Sequence, residues 1–281
     1  MDNGMSPMRP QMKYELVIFI ILASAFSWIF WIPLYLAGLG STAIGFCIYY
    51  AGAIGPLFAA VELVLLARGL DGIKELLKGV LEWRRGVEWY IVALFLPLGI
   101  ESVVLLSVTL SGTSLSFSQS LIANGPVFLG QFYFAIVTSI AFFGFLLPRL
   151  LKSYSPLIAS FIVAFIFIVW HMPSILVDIN IGQGSYEFWW AIGNLGAFLI
   201  FTWLYDNTKG SLLPIILFDL SLNYFVWFTK GVMQLAQVND FWSLDFSLHV
   251  IAALIIVLAN WKYFMGNVRS AAEKPEAVPV G

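Results

Sequence analysis

Apolar runs long enough to cross a bilayer recur from one end of this chain to the other, and no feature of the sequence constrains its fold more. A helix spanning the hydrocarbon core needs about 20 predominantly apolar residues. Runs at 15–37, 43–67, 88–111, 126–150, 155–177, 186–205, 211–231 and 241–263 meet that length. Lipid offers no partner for a free peptide N–H or C=O, so spans of this kind must be helices. The expected fold class is therefore all-α, a polytopic membrane helical bundle of about eight transmembrane helices. Composition agrees: 60% of the residues are hydrophobic and 11% charged, with a mean hydropathy of +0.91. A soluble enzyme, a secreted disulfide scaffold and a nucleic-acid binder are excluded, the last also by a net charge of −2. Cys47 is the single cysteine, so neither an internal disulfide nor a thiolate metal cage can form. The bilayer itself is the first partner that the sequence names.

The basic residues orient the bundle. Of 14 Lys and Arg, all but Lys230 fall in the tails or in the connections after spans two, four and six. Alternating helices put those segments on one side, which the positive-inside rule makes cytoplasmic. Both termini are then expected in the cytoplasm, and the plasma membrane is the expected location. The first run lacks a small-residue cleavage site and reads as a retained helix. The chain divides into a tail at 1–14, one transmembrane domain at 15–263 and a disordered tail at 264–281. Within 68–88, Ile73, Leu76, Leu77, Val80 and Leu81 recur at helical spacing between Lys74, Glu75, Lys78 and Glu82. That pattern predicts an amphipathic helix along the cytoplasmic face, with a solvated hairpin as the alternative.

Ionisable groups at membrane depth are costly, about 2.5–3.5 kcal/mol each at a helix centre on the insertion scale, so each one needs a reason. The candidates are Glu62, Glu101, His171, Asp219, Asp245 and His249, with Asn194 and Asn223 adding uncharged polarity. Counting from the cytoplasmic ends, Asp219 lies ~12 Å, Asn223 ~18 Å and His171 ~24 Å along their helices, with Thr138 and Ser139 ~20 Å in. Asp219 and Asn223, four residues apart, share a helix face. Hydroxyls, an imidazole, a carboxylate and an amide are thus expected to converge between spans four, five and seven. Plainer readings stand beside this one. His171 can belong to an aromatic belt, and Thr138 and Ser139 can bond back to their own helix carbonyls. Asp245 and His249 read as a local i, i+4 ion pair, or as half of a metal site.

The motifs around these positions resemble a known family. Gly144-Phe145-Leu146-Leu147-Pro148-Arg149-Leu150, Tyr154-Ser155-Pro156-Leu157 and Trp170-His171-Met172-Pro173 are similar to the core of the CPBP family. That family comprises the type II CAAX prenyl proteases and the Abi bacteriocin-immunity proteins. Thr202-Trp203-Leu204-Tyr205, Thr208-Lys209-Gly210-Ser211-Leu212-Leu213-Pro214 and Asn223 continue the resemblance in order, placing a motif-bearing core at 126–231. The resemblance implies an intramembrane endopeptidase in which a glutamate activates water. Histidines there bind a metal or steady the oxyanion, and an Asn polarises the carbonyl. On that pattern Phe167, His171 and Asn223 match. Thr138 and Ser139 stand where a Glu-Glu pair belongs, Phe143 where an Arg belongs and Asp219 where a second His belongs.

Neither Thr nor Ser can take a proton from water at neutral pH, and a positioned base is worth about 10²–10⁴ in rate. The expected function is therefore a catalytically degenerate homologue. It would bind a peptide, a prenylated tail or a partner membrane helix without cutting it. The candidate site residues are His171, Asn223, Asp219, Ser139 and Thr138. No cofactor is expected with assurance. Zinc belongs only to a retained family-type site, where His171 and Asp219 are the candidate ligands. One alternative is an active peptidase in which Ser139, His171 and Asp219 act as nucleophile, base and orienter. Another is a metalloprotease whose glutamate is supplied by Glu101. A small-ligand carrier would need paired helix interruptions, which the sequence lacks.

Overall fold

The computed structural model describes residues 10–40, 42–112, 120–177, 186–232 and 238–266. Most of both expected tails lies outside these residues. Every regular element among them is a helix: α1 (Pro10–Leu36), α2 (Ala43–Ala53), α3 (Gly55–Leu81), α4 (Val87–Leu110) and α5 (Ser120–Thr138) come first. A π-helix (Ser139–Leu146) and the short α6 (Leu147–Leu150) complete that span. Then follow α7 (Pro156–Val177), α8 (Tyr186–Asn207), α9 (Leu213–Val232), α10 (Val238–Ala259) and the short α11 (Trp261–Phe264). Helix α1 thus begins inside the segment 1–14 that the sequence reads as a tail.

Seven helical stretches among the described residues are long and apolar enough to cross a membrane, against the eight that the sequence suggests. The eighth, α9, is 20 residues long, and its described apolar stretch is Leu213–Val226. It is enclosed by α4, α5 and α8, with Ile215, Ile216, Phe218 and Leu220 buried in protein.

The expected second span is two helices. Thr42 caps α2, accepting the Gly45 N–H at 2.9 Å, and α2 gives way to α3 at Ile54 ahead of Pro56. Helix α3 then bends at Gly69, whose φ of 60° and ψ of −154° lie in a region open essentially to glycine. Past that bend the amphipathic segment continues as helix to Leu81. Gly72 and Leu76 face inward, while Leu70, Leu77 and Leu81 stay exposed. Its end is held by the turn before α9: Leu212 N–H donates to Gly79 O at 2.8 Å and the Ser211 hydroxyl to Glu82 O at 2.5 Å.

In lipid, helix association rests on close packing and buried hydrogen bonds, because acyl chains are as apolar as leucine. Both devices are present. The most extensive contact is between α8 and α10. There Gly193 and Gly196 lack the side chains that would otherwise run into Phe246 and the Val250 backbone. Indoles, buried at Trp31 and Trp170 and half-buried at Trp28, tie α1 to its neighbours. Trp170 Nε1 donates to Ser27 Oγ at 2.7 Å, Trp28 Nε1 to Trp170 O at 2.9 Å and Trp31 Nε1 to Tyr49 O at 2.9 Å.

Candidate functional site

A cavity of about 90 Å³ lies among α5, the π-helix, α7, α8, α9 and α10. At ~30 Å³ per molecule it has room for about three waters, or for one apolar chain end. Four of the five residues singled out from the sequence line it: Thr138, His171, Asp219 and Asn223. Ser139, the fifth, is fully buried but does not line it. Successive residues on a helix point about 100° apart, and here Thr138 faces the cavity while Ser139 is turned away from it.

The polar end of the cavity is a closed set of three side chains. Thr138 Oγ1 lies 3.0 Å from Asp219 Oδ2 and also donates to Phe134 O at 2.7 Å. The single hydroxyl proton is therefore shared between the helix carbonyl and the carboxylate. Asn223 Nδ2 donates to Asp219 Oδ1 at 2.7 Å and to Asp219 O at 2.9 Å. The i, i+4 spacing read from the sequence is thus made as a contact, and both carboxylate oxygens of Asp219 have partners. The back-bond expected of Thr138 is also present, but the hydroxyl serves both purposes.

His171 occupies the aromatic part of the cavity. Its ring stacks between Phe167 and Trp190, with centroids 5.4 and 5.3 Å away, and meets Phe134 and Trp31 edge-on at 5.5 and 5.6 Å. Nδ1 is buried without a hydrogen-bond partner among the described residues. No hydrogen bond joins this ring to Ser139 or Asp219 among them, so the contacts that a Ser–His–Asp relay requires are not formed. Phe142, Phe143, Phe198 and Phe201 continue the aromatic wall. Phe143, standing where the family's Arg belongs, packs on Phe201 with centroids 4.7 Å apart. Helix α8 carries Phe198 and Phe201, and the π-helix carries Phe142 and Phe143. Its wider turn, with i→i+5 bonding, changes which residues share a face.

Zinc does not fit this donor set. Protein sites for it offer at least three ligands, and no group of three His, Cys, Asp or Glu able to hold a metal occurs among the described residues. His171 offers one nitrogen inside an aromatic cage, and Asp219 already serves Thr138 and Asn223.

Glu101 is placed elsewhere. It is buried on α4, and its carboxyl faces Asp245 of α10 and Thr229 of α9 rather than the cavity. His249 completes that second polar cluster, with Nδ1 3.3 Å from Asp245 Oδ1 and 2.9 Å from Asp245 O. The expected i, i+4 contact therefore forms, and Glu101 joins it. Sequence reasoning gave no site role to Trp190 and Asn194, which also line the cavity; Asn194 Nδ2 donates to Trp190 O at 2.8 Å. Their i, i+4 spacing within an aromatic-rich span was the available signal.

No curated protein matches the chain. A family model described as type II CAAX prenyl endopeptidase Rce1-like matches residues 126–225, the stretch from α5 to α9 that supplies most of the cavity wall. The match covers less than half of the chain, and over that stretch this helical membrane protein is similar to the Rce1-like, CAAX-protease-like proteins.

Proposed function

We propose that the cavity is a binding site derived from an intramembrane protease, and that it holds a peptide segment, a prenylated tail or the end of a partner helix without hydrolysing it. We take both termini to be cytoplasmic from the distribution of the basic residues, and the plasma membrane as the default location for a small multi-pass chain. The observation that carries this reading is the bonding of Asp219. This carboxylate is the one acidic group in the cavity wall among the described residues, and both its oxygens are occupied, by Thr138 at 3.0 Å and Asn223 at 2.7 Å. A general base must reach its water within about 3 Å, and hydrogen bonds already donated to its oxygens favour the charged form and weaken it as a base. The positions of the family's two glutamates hold hydroxyls instead. The remaining wall is aromatic, a surface suited to an isoprenoid chain or an apolar side chain.

Photo-crosslinking to a farnesylated peptide in vesicles tests the binding. The expected result is a crosslink within 126–225 that fails in Ala197→Leu, because Ala197 lines the cavity and leucine would fill it. An undiminished crosslink in Ala197→Leu would place binding elsewhere and overturn the proposal.

A further inference from the structure

A second and larger cleft, of about 600 Å³, opens on another side of the π-helix and shares no lining residue with the aromatic cavity. Its polar wall comes from Glu15 of α1, Arg68 and Glu75 of α3, and Arg149, Lys152 and Ser153 at the end of α6. Three cations face two carboxylates, leaving one positive charge in excess. Two ion pairs set the geometry: Arg149 Nε with Glu15 Oε2 at 3.2 Å, and Arg68 Nη1 with Glu75 Oε2 at 2.5 Å. Arg149 Nη1 also donates to Phe145 O at 2.9 Å. Among the described residues these contacts leave donors over: Nη2 of Arg149, Nε and Nη2 of Arg68, the Lys152 ammonium and the Ser153 hydroxyl. Gly72 and Gly144 also line the cleft, and there they add no side chain to its wall.

The depth of this cleft narrows the choice of ligand. Glu15 follows the first residue of the span Tyr14–Leu36, Arg149 is one residue from the end of Phe128–Leu150, and Arg68 sits beside the bend at Gly69. With the second apolar run ending at residue 67, all three stand at span ends, the level at which lipid headgroups lie. One turn away on the same helices, Ile18 and Leu65 are exposed, as are Tyr14, Val17, Leu66 and Leu70. Such a surface suits acyl chains directly beside a basic pocket. Basic pockets between transmembrane helices on the cytoplasmic side are suited to anionic headgroups, since that leaflet carries the anionic lipid. Free phosphate would fill little of a 600 Å³ cleft, whereas a glycerophosphate headgroup is of the right order. We infer that this cleft binds the phosphodiester headgroup of an anionic phospholipid, with Arg68, Arg149 and Lys152 as its donors. The inference is independent of what the aromatic cavity holds.

Native mass spectrometry of the full chain, released from micelles doped with equal phosphatidylglycerol and phosphatidylcholine, provides the test. Retention of phosphatidylglycerol over phosphatidylcholine is expected. It should weaken about fivefold in Lys152→Gln and by a similar factor in Arg68→Gln, on the scale of one basic residue at a membrane surface. Lys152 is exposed and forms no ion pair among the described residues, so its substitution leaves the fold intact. Arg84→Gln, an exposed cation outside the cleft, should change nothing. Equal retention of the two lipids would overturn the inference, as would an Arg84→Gln loss matching that of Lys152→Gln. Displacement of phosphatidylglycerol by equimolar inorganic phosphate would assign the cleft to the free anion and refute the lipid.

Discussion

The bond between Thr138 and Asp219 is the contact on which the binding-site reading turns, and it can be measured. Thr138→Val keeps the shape of the side chain and deletes its hydroxyl. Asp219 Oδ2 then loses the partner at 3.0 Å, while Oδ1 keeps Asn223 at 2.7 Å. A buried hydrogen bond to an ionisable group is worth about 1.5–3 kcal/mol in soluble proteins. Between membrane helices the measured mean is about 0.6 and the maximum about 1.7 kcal/mol. Thr138 is 2% exposed and Asp219 8%, so bulk water does not reach the lost partner's place and the upper part of the membrane range applies. A loss of about 1–1.5 kcal/mol follows on those scales. Part of that loss is local, because Thr138 also bonds Phe134 O. A double-mutant cycle with Asp219→Leu separates the two, and its coupling energy should be about 1 kcal/mol. Reversible unfolding in mixed micelles, followed by tryptophan fluorescence, reads all four corners. Additivity within about 0.3 kcal/mol would mean that the two side chains do not interact, and the reasoning about a blocked carboxylate would fail with it.

Other perturbations probe the surroundings of the cavity. Gly193→Ala or Gly196→Ala should each destabilise the α8–α10 contact by about 1–3 kcal/mol in the same unfolding assay, because a new methyl group meets Phe246 or the Val250 backbone; a neutral result would show that the helices are not in such close contact. Ser27→Ala removes the acceptor 2.7 Å from Trp170 Nε1 and strands a buried N–H, a cost of about 1–3 kcal/mol. Loss of less than about 0.5 kcal/mol would argue that the indole has another partner. His171→Phe should cost less than about 1.5 kcal/mol, since its cage is already aromatic and Nδ1 has no bond to lose. Zinc or a chelator should likewise leave the melting temperature unchanged. An upward shift with zinc would demonstrate a ligand set that the described residues do not supply.

The fold was legible because the bilayer imposes one rule on every span, and runs of about 20 apolar residues report it directly. The rule does not report how far a span is shielded from lipid: α9 reads as an ordinary span although α4, α5 and α8 enclose it. The second span hid a junction at Ile54, since hydropathy is blind to a break between two equally apolar helices. In the candidate site, Asp219 and Asn223 were paired correctly by helical spacing, and His171 was correctly brought to the same place. Ser139 was not separable from Thr138, because depth arithmetic treats neighbours alike while the helix points them apart. Glu101 was legible as buried but not as the partner of Asp245, because contacts between helices distant in sequence leave no local signal. The π-helix, which brings Phe142 and Phe143 to the cavity, breaks the 3.6-residue period on which such a reading depends.

Whether the cavity holds its ligand intact is decided by a single experiment: the purified chain in vesicles, incubated with a farnesylated peptide and sampled over time by mass spectrometry. A tied-up carboxylate and two hydroxyls in place of an acidic pair predict that the peptide mass persists unchanged, with or without added zinc. A cleavage product that accumulates with wild-type chain and vanishes in Asp219→Ala would contradict the account, since it would show that this carboxylate still activates water.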